Sequence, residues 1–233
     1  MAKSFEPRPV ELLAPAKDLA TGQAAILHGA DAVYIGAPSL GARAWAGVSI
    51  SDFGRLARFA RLYRAKVYVA LNTILYDDEL PEAERIAWEL YRAGADALIV
   101  QDMSLCRLNL PPIALHASTQ CDIRTMGKVR MFESLGYEQV VLARELSLPE
   151  IRKIADSTSV VLEAFVHGAL CVSLSGQCYL SEALTRRSAN RGACAQLCRL
   201  PYTMIDADGK VIRSNQHLLS LKDLNRSAEL ESM

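Results

Sequence analysis

The sequence predicts an α/β protein with a (β/α)8 TIM-barrel-like fold, incomplete in this chain, and a Cys-rich segment after strand seven. Three observations carry this reading. Short β-rich runs alternate with helical patterns, the grammar of βα units. The join from helix to strand recurs as Gly29-Ala30-Asp31-Ala32-Val33-Tyr34, Gly94-Ala95-Asp96-Ala97-Leu98-Ile99 and Gly136-Tyr137-Glu138-Gln139-Val140-Val141. Each glycine suits the left-handed residue that ends a helix, and the apolar run after it suits a strand buried on both faces. Finally, polar residues follow most of the strands and no Gly-rich phosphate loop follows the first. That favours a barrel over an open doubly wound sheet.

Taken in order, a first strand near residues 10–14 feeds a helical pattern at 18–28, closed by Gly29. A strand at 32–35 follows, then a helix at 51–63 and a strand at 66–71. The helix at 79–92 ends at Gly94 and leads into a strand at 97–100. A weaker helical pattern at 102–108 precedes the strand at 113–116, and a helix at 125–135 precedes the one at 139–142. The helix at 148–155 and the strand at 160–166 complete seven βα steps. An eighth strand is missing, so the chain is expected to be a fragment or to need another polypeptide for closure. Pro201 to Val211 reads as a hairpin around Asp206-Ala207-Asp208-Gly209, and Leu218 to Met233 as the start of a helix that then stops. The expected organisation is a barrel-like unit at 1–167, a Cys/Arg-rich segment with its hairpin at 168–213 as part of the same domain, and a truncated element at 214–233.

The 233 residues carry 26 Lys plus Arg and 26 Asp plus Glu, which excludes a nucleic-acid binder working by bulk charge and leaves room for a local basic patch. With 51% hydrophobic and 22% charged residues the composition is that of an ordinary globular protein. The N-terminus lacks the apolar core of a signal peptide and no run is long enough to span a bilayer, so a cytoplasmic protein with no membrane partner is expected.

Four of the six cysteines, Cys171, Cys178, Cys194 and Cys198, fall in a Gly-rich, loop-like stretch. Four thiols on loops can converge on one centre, and soft thiolates select zinc or an iron-sulfur cluster. Paired CxxC knuckles are absent, which weakens zinc. Four small buried residues or a disulfide are the remaining readings. Cys106 and Cys121 read as inert buried thiols. Arg186, Arg187, Arg191 and Arg199 surround the third and fourth cysteines without an acid between 185 and 199. Such a patch suits RNA phosphates or a phosphorylated substrate. Neutralising the thiolates and capping carbonyls would use it equally well.

If the barrel is right, the C-terminal strand ends present Asn72, Gln101, Asp102, His116 with Ser118 and Gln120, Arg144 with Glu145, and Glu163 with His167. His167, four residues before Cys171, can donate or accept a proton near a bound base. Glu163 in an apolar strand either faces the interior or pairs with an arginine. Arg144 suits a carboxylate anchor, and His116 a base or sugar contact. Arg43 and Trp45 are weaker loop candidates, and Trp88 fits a buried helix face.

The segment Glu163 to Arg199 closely resembles the signature of peptidase family U32, the collagenase-like proteases. Glu11-Leu12-Leu13-Ala14-Pro15-Ala16 and Gly29-Ala30-Asp31-Ala32-Val33-Tyr34 look like its N-terminal signature. The resemblance implies a barrel-like fold and a 4Fe-4S cluster held by Cys171, Cys178, Cys194 and Cys198. It also implies oxygen-independent hydroxylation of a pyrimidine in tRNA or 23S ribosomal RNA, linked to prephenate, with RNA as partner. The family name also implies a peptidase, but neither GxSxG nor HExxH occurs. A cluster-bearing subunit that needs a partner is the third reading.

Overall fold

The structure, a computed structural model, describes residues 10–41 and 48–232, so the Arg43 and Trp45 candidates lie outside the described residues. Seven parallel strands form one sheet in the order β1 Leu13–Ala16, β2 Ala32–Gly36, β3 Lys66–Leu71, β4 Ala97–Val100, β5 Ala114–Ala117, β6 Gln139–Val141 and β7 Val161–Glu163. Spatial order follows chain order without reversal, which removes the doubly wound alternative. The sheet curls into a half-barrel, and β1 and β7 do not pair with each other.

Helices α1 Leu19–Leu27, α2 Ile50–Leu62, α3 Leu80–Ala93, α4 Met126–Ser134 and α5 Leu148–Ala155 make the crossovers. Their starts are chemically marked. Asp18 and Thr21 form a capping box on α1, Ser49 and Thr125 cap α2 and α4, and Ser147 and Glu150 form a second box on α5. The expected glycine stop is seen at α3, where Gly94 takes φ 102°. The weak pattern at 102–108 is a 3-10 turn over Met103–Arg107, held at its start by Asp102 accepting from Ser104 N.

The recurring Gly-Ala-Asp-Ala has a second purpose. Asp31 accepts from Leu12 N at 2.8 Å and Asp96 from Val67 N at 2.7 Å, so each aspartate stitches the base of the preceding strand in the sheet. The helix-facing side of the sheet, with Val33, Ile35, Val67, Val69, Leu98 and Val140, packs on α1 to α5 as the main core. The concave side holds Ala32, Tyr68, Ala97 and Ile99, with Leu13, Tyr34 and Ala114 against them.

Beyond β7 the chain changes character. A short bridge β8 His167–Gly168, helix α6 Leu180–Thr185, and the antiparallel pair β9 Tyr202–Ile205 and β10 Val211–Gln216 precede β11 Leu224–Asn225. The hairpin turns at Asp206 and Gly209 as expected, with Asp206 Oδ1 accepting from the backbones of Asp208 and Lys210. Two expectations change. Helix α6 was not foreseen, and residues 218–232 hold no α-helix. Instead β11 pairs with β8, Arg226 N donates to Val166 O, and a 3-10 turn follows over Ser227–Ser232. The polar ends of that segment find partners on the barrel rather than in a helix of their own. No described helix is long and apolar enough to cross a membrane.

Candidate functional site

The cysteine segment sits over the C-terminal strand ends and is fastened there at several points. Ser175 donates from N and Oγ to the two oxygens of Glu145, after β6, at 3.1 and 3.3 Å. Gln177 Nε2 donates to Asp122 Oδ2 at 3.0 Å, and Asp122 is itself held by Arg124 and Lys128. Between these anchors Gly176, at φ 71°, lies so close to the chain after β5 that a Cβ there would fall 2.0 Å from Gln120 O. Inside the segment, buried Asn190 accepts from Cys178 N at 3.2 Å, and buried Ser181 accepts from Ala195 N at 2.9 Å. Gln196 N points at Cys194 Sγ at 3.4 Å.

Cys171 and Cys194 are exposed, Cys178 and Cys198 half-buried, and none is in a disulfide. Burial raises the Cys198 thiol, Arg199 lowers it, and Cys171, Cys194 and Cys178 each push it up further, so the other three thiols lie within electrostatic reach of Cys198. No three described His, Cys, Asp or Glu side chains converge on a single ion. By their chemistry alone, four thiols as a donor set suit a soft centre, zinc or an iron-sulfur cluster. Cys121, by contrast, is pushed up to about 12, chiefly by burial, as an inert thiol should be.

The four arginines divide. Arg191 pairs with Glu79 at 2.9 Å, donates to Ile74 O and stacks 4.1 Å from the Tyr76 ring centre. Arg199 donates to Leu170 O and Ser220 Oγ at 2.6 Å. These two are struts that tie the cysteine segment to the barrel and to the chain after the hairpin. Arg186, which ends α6 at φ 60°, and Arg187 face solvent.

The other predicted residues gather at the mouth. Arg144 lies over the Phe165 ring at 4.3 Å and lines a cleft of about 80 Å³ with Glu145, Leu170, Cys171, Ser173 and Ser175. Asn72 donates to Ser118 Oγ at 3.0 Å, and Asp102 accepts from Leu75 N at 2.8 Å. Four side-chain atoms among the described residues are buried without a hydrogen-bond partner: Gln101 Oε1, His116 Nδ1, Thr119 Oγ1 and Arg144 Nε. All belong to β5 or to the chain just after β4, β5 and β6. An orphaned buried polar atom costs about 1 to 3 kcal/mol, so a group of them at one mouth marks a polar place whose bonding water or a ligand completes.

On the concave side, His116 is buried with its ring 4.7 Å from that of Tyr68, whose hydroxyl donates to Glu11 at 2.6 Å. Burial lowers His116 to about 4, so it is neutral at neutral pH. Glu163 faces the interior, accepting from Gln139 Nε2 at 2.7 Å, and pairs with no arginine among the described residues. Burial raises its carboxyl to about 7; the Gln139 bond opposes the shift and Glu11 adds to it. The folded state therefore binds more protons than the unfolded one between about 4.5 and about 7, and stability from this group falls as pH rises through that window. Glu163→Gln should gain about 2 to 3 kcal/mol over the parent at pH 8 and nothing at pH 4, as thermal melts at the two pH values will show. His167 is exposed, and its backbone pairs with Asn225. Trp88 is only half-buried, donating to Asn109 O at 2.8 Å beneath the Arg92 guanidinium.

Sequence reasoning missed Ser181, Asn190, Asp122 and Gly176 as the frame of the cysteine segment. Their partners are 14, 12, 55 and 56 positions away, so no local spacing signals them.

A family model for peptidase family U32 matches residues 17–233. The chain is 56% identical over 224 residues to the 23S rRNA 5-hydroxycytidine synthase of Escherichia coli, covering 96% of this chain and 34% of that protein. It is 37% identical over 203 residues to the tRNA hydroxylation protein P1 of Bacillus subtilis, covering 85% and 48%. A solved U32 peptidase shares the fold at a TM-score of 0.58 and 15% identity, over 71% of this chain and 73% of that one. The chain thus spans about a third to a half of the length of these two curated relatives.

Proposed function

The chain belongs to peptidase family U32, and from that premise we propose that it is the barrel portion of an oxygen-independent hydroxylase modifying a pyrimidine in tRNA or rRNA with a 4Fe-4S cluster. The observation that supports the reading is the fastening of the segment that bears Cys171, Cys178, Cys194 and Cys198 over a barrel mouth lined with unpartnered polar atoms. Those four thiolates would hold the cluster, which when bound supplies electron transfer or polarises an oxygen donor.

Around them the chain's own residues have distinct tasks. Arg144, with Nε unpartnered and its plane fixed on Phe165 beside Cys171, anchors a carboxylate of a prephenate-like donor. Neutral His116 offers a hydrogen bond inside the barrel, and Glu163 and His167 hold or move a proton beside the base. Arg186 and Arg187, on the outer face of the segment, meet RNA phosphates, while Arg191 and Arg199 keep the segment in place. The protein works in the cytoplasm, where its RNA is.

The peptidase reading is weaker on geometry. Ser175 Oγ is committed to Glu145 and Ser173 Oγ to the Gln177 carbonyl, so neither is activated by His167. Nucleoside analysis of tRNA and rRNA from a strain lacking the gene tests the proposal. A 5-hydroxypyrimidine should vanish and return on complementation, and unchanged levels of both hydroxycytidine and hydroxyuridine would overturn it.

A further inference from the structure

We propose that Tyr179 is a platform on which an unpaired base of the RNA substrate stacks, beside Cys178 and on the same exposed side of α6 as Arg186. The proposal deepens the hydroxylase reading and rests on it. Of the eight tyrosines in the chain, Tyr179 is the most exposed, at 69%, and its side chain meets no ring, cation or hydrogen-bond partner among the described residues. The others are engaged: the rings of Tyr63, Tyr68, Tyr91 and Tyr137 pack on other rings, and that of Tyr76 lies under Arg191.

The backbone that carries the ring is fixed on both sides. Cys178 N donates to Asn190 Oδ1 at 3.2 Å, and Tyr179 O accepts from Ala183 N at 2.9 Å. Ser181, two residues on and only 2% exposed, turns the opposite face of α6 inward and accepts from Ala195 N. A ring presented on a held backbone loses little further freedom when a partner covers it, which favours binding.

Charge on the same side points to the partner. Tyr179, Ala183 and Arg186 follow one another at four and three positions, so helical spacing sets them on one face, and all three are exposed. Arg186 has no acid partner among the described residues, and no acid occurs between 185 and 199. Seven residues rise about 10 Å along a helix, a span that a few nucleotides of single strand cover. An open aromatic face beside an unpaired guanidinium is the combination that binds single-stranded nucleic acid, the ring taking a base and the cation the backbone. A base stacked on Tyr179 lies one residue from Cys178, next to the thiols rather than out on the barrel wall.

The test follows binding of a short single-stranded RNA, and of the same strand in a duplex, to the full-length, anaerobically purified protein by fluorescence anisotropy across a salt series. Tyr179→Ala should weaken the single strand roughly tenfold and leave the salt slope as it is, since no phosphate contact is lost. Tyr179→Trp should keep the parent's affinity, and the duplex, whose bases are already stacked, should bind parent and variants alike. Melting temperatures should not move, because the ring supports nothing else in the fold. Unchanged affinity in Tyr179→Ala, or a loss as large in Tyr179→Trp, would overturn the proposal. Self-association that Tyr179→Ala abolishes while RNA binding stays untouched would overturn it too, by assigning the ring to an interface between copies. Hydroxypyrimidines in cellular RNA report on the hydroxylase reading separately. If they vanish with the gene while Tyr179→Ala binds like the parent, the platform alone fails; if they persist without the gene, the reading beneath it fails.

Discussion

Replacing Gly176 with valine is expected to strip most of the iron from the protein while leaving the barrel folded. Gly176 holds φ 71°, and a Cβ at that position would lie 2.0 Å from Gln120 O and 2.9 Å from Gln120 C. A β-branched residue adds strain of about 1 to 3 kcal/mol in the left-handed region to a backbone clash that no rotamer relieves. The segment must lift away, and its neighbouring anchors, Ser175 on Glu145 and Gln177 on Asp122, go with it. Cys171 and Cys178 lie on either side of those anchors, so their placement relative to Cys194 and Cys198 is lost. The core under the segment is built from β1 to β7 and α1 to α5, so the main melting transition should move by only a few degrees. Iron per chain and a circular dichroism melt check both halves of this expectation, and full iron content would show that the close approach to Gln120 is not needed.

The second large effect separates struts from RNA contacts. Arg191→Ala should cost about 2 to 3 kcal/mol locally, because it leaves the half-buried Glu79 carboxylate, now held below its usual range by Arg191, without its cation. It also removes the stacking on Tyr76 and the bond to Ile74 O. Iron retention should fall, and proteolysis between 180 and 200 should quicken. Arg186→Ala should leave stability and iron content as they are and instead lower RNA affinity, with the salt dependence flattening by about one unit per phosphate contact removed. If Arg191→Ala behaved like Arg186→Ala, Arg191 would belong to the RNA surface rather than to the frame.

That division shows where the sequence speaks and where it falls silent. Elements whose signal is local were legible: β3 and β4 occupy the residues that their apolar runs predict, and α3 ends at Gly94 because that position needs a left-handed residue. The chemistry of the site was legible as residue type, since four cysteines, four arginines and a strand glutamate in one stretch are unusual whatever the fold. What each arginine does was not. Arg191 and Arg186 are alike in sequence, and the approach of Glu79, 112 positions away, makes Arg191 structural. Glu163 posed the same ambiguity between an interior acid and an ion pair, which Gln139 on the neighbouring strand resolves. The segment after 218 was misread because leucines near a chain end suggest a helix, whereas Leu224 and Asn225 pair with Gly168 and His167.

The central claim is that four cysteines over the barrel mouth hold an iron-sulfur cluster for hydroxylation chemistry. Anaerobic purification followed by iron and acid-labile sulfide analysis, with an absorption spectrum and a Cys194→Ala control, tests it most directly. About four irons and four sulfides per chain, lost in the control, is the expected result. A parent protein that takes up no iron after anaerobic reconstitution would contradict the claim.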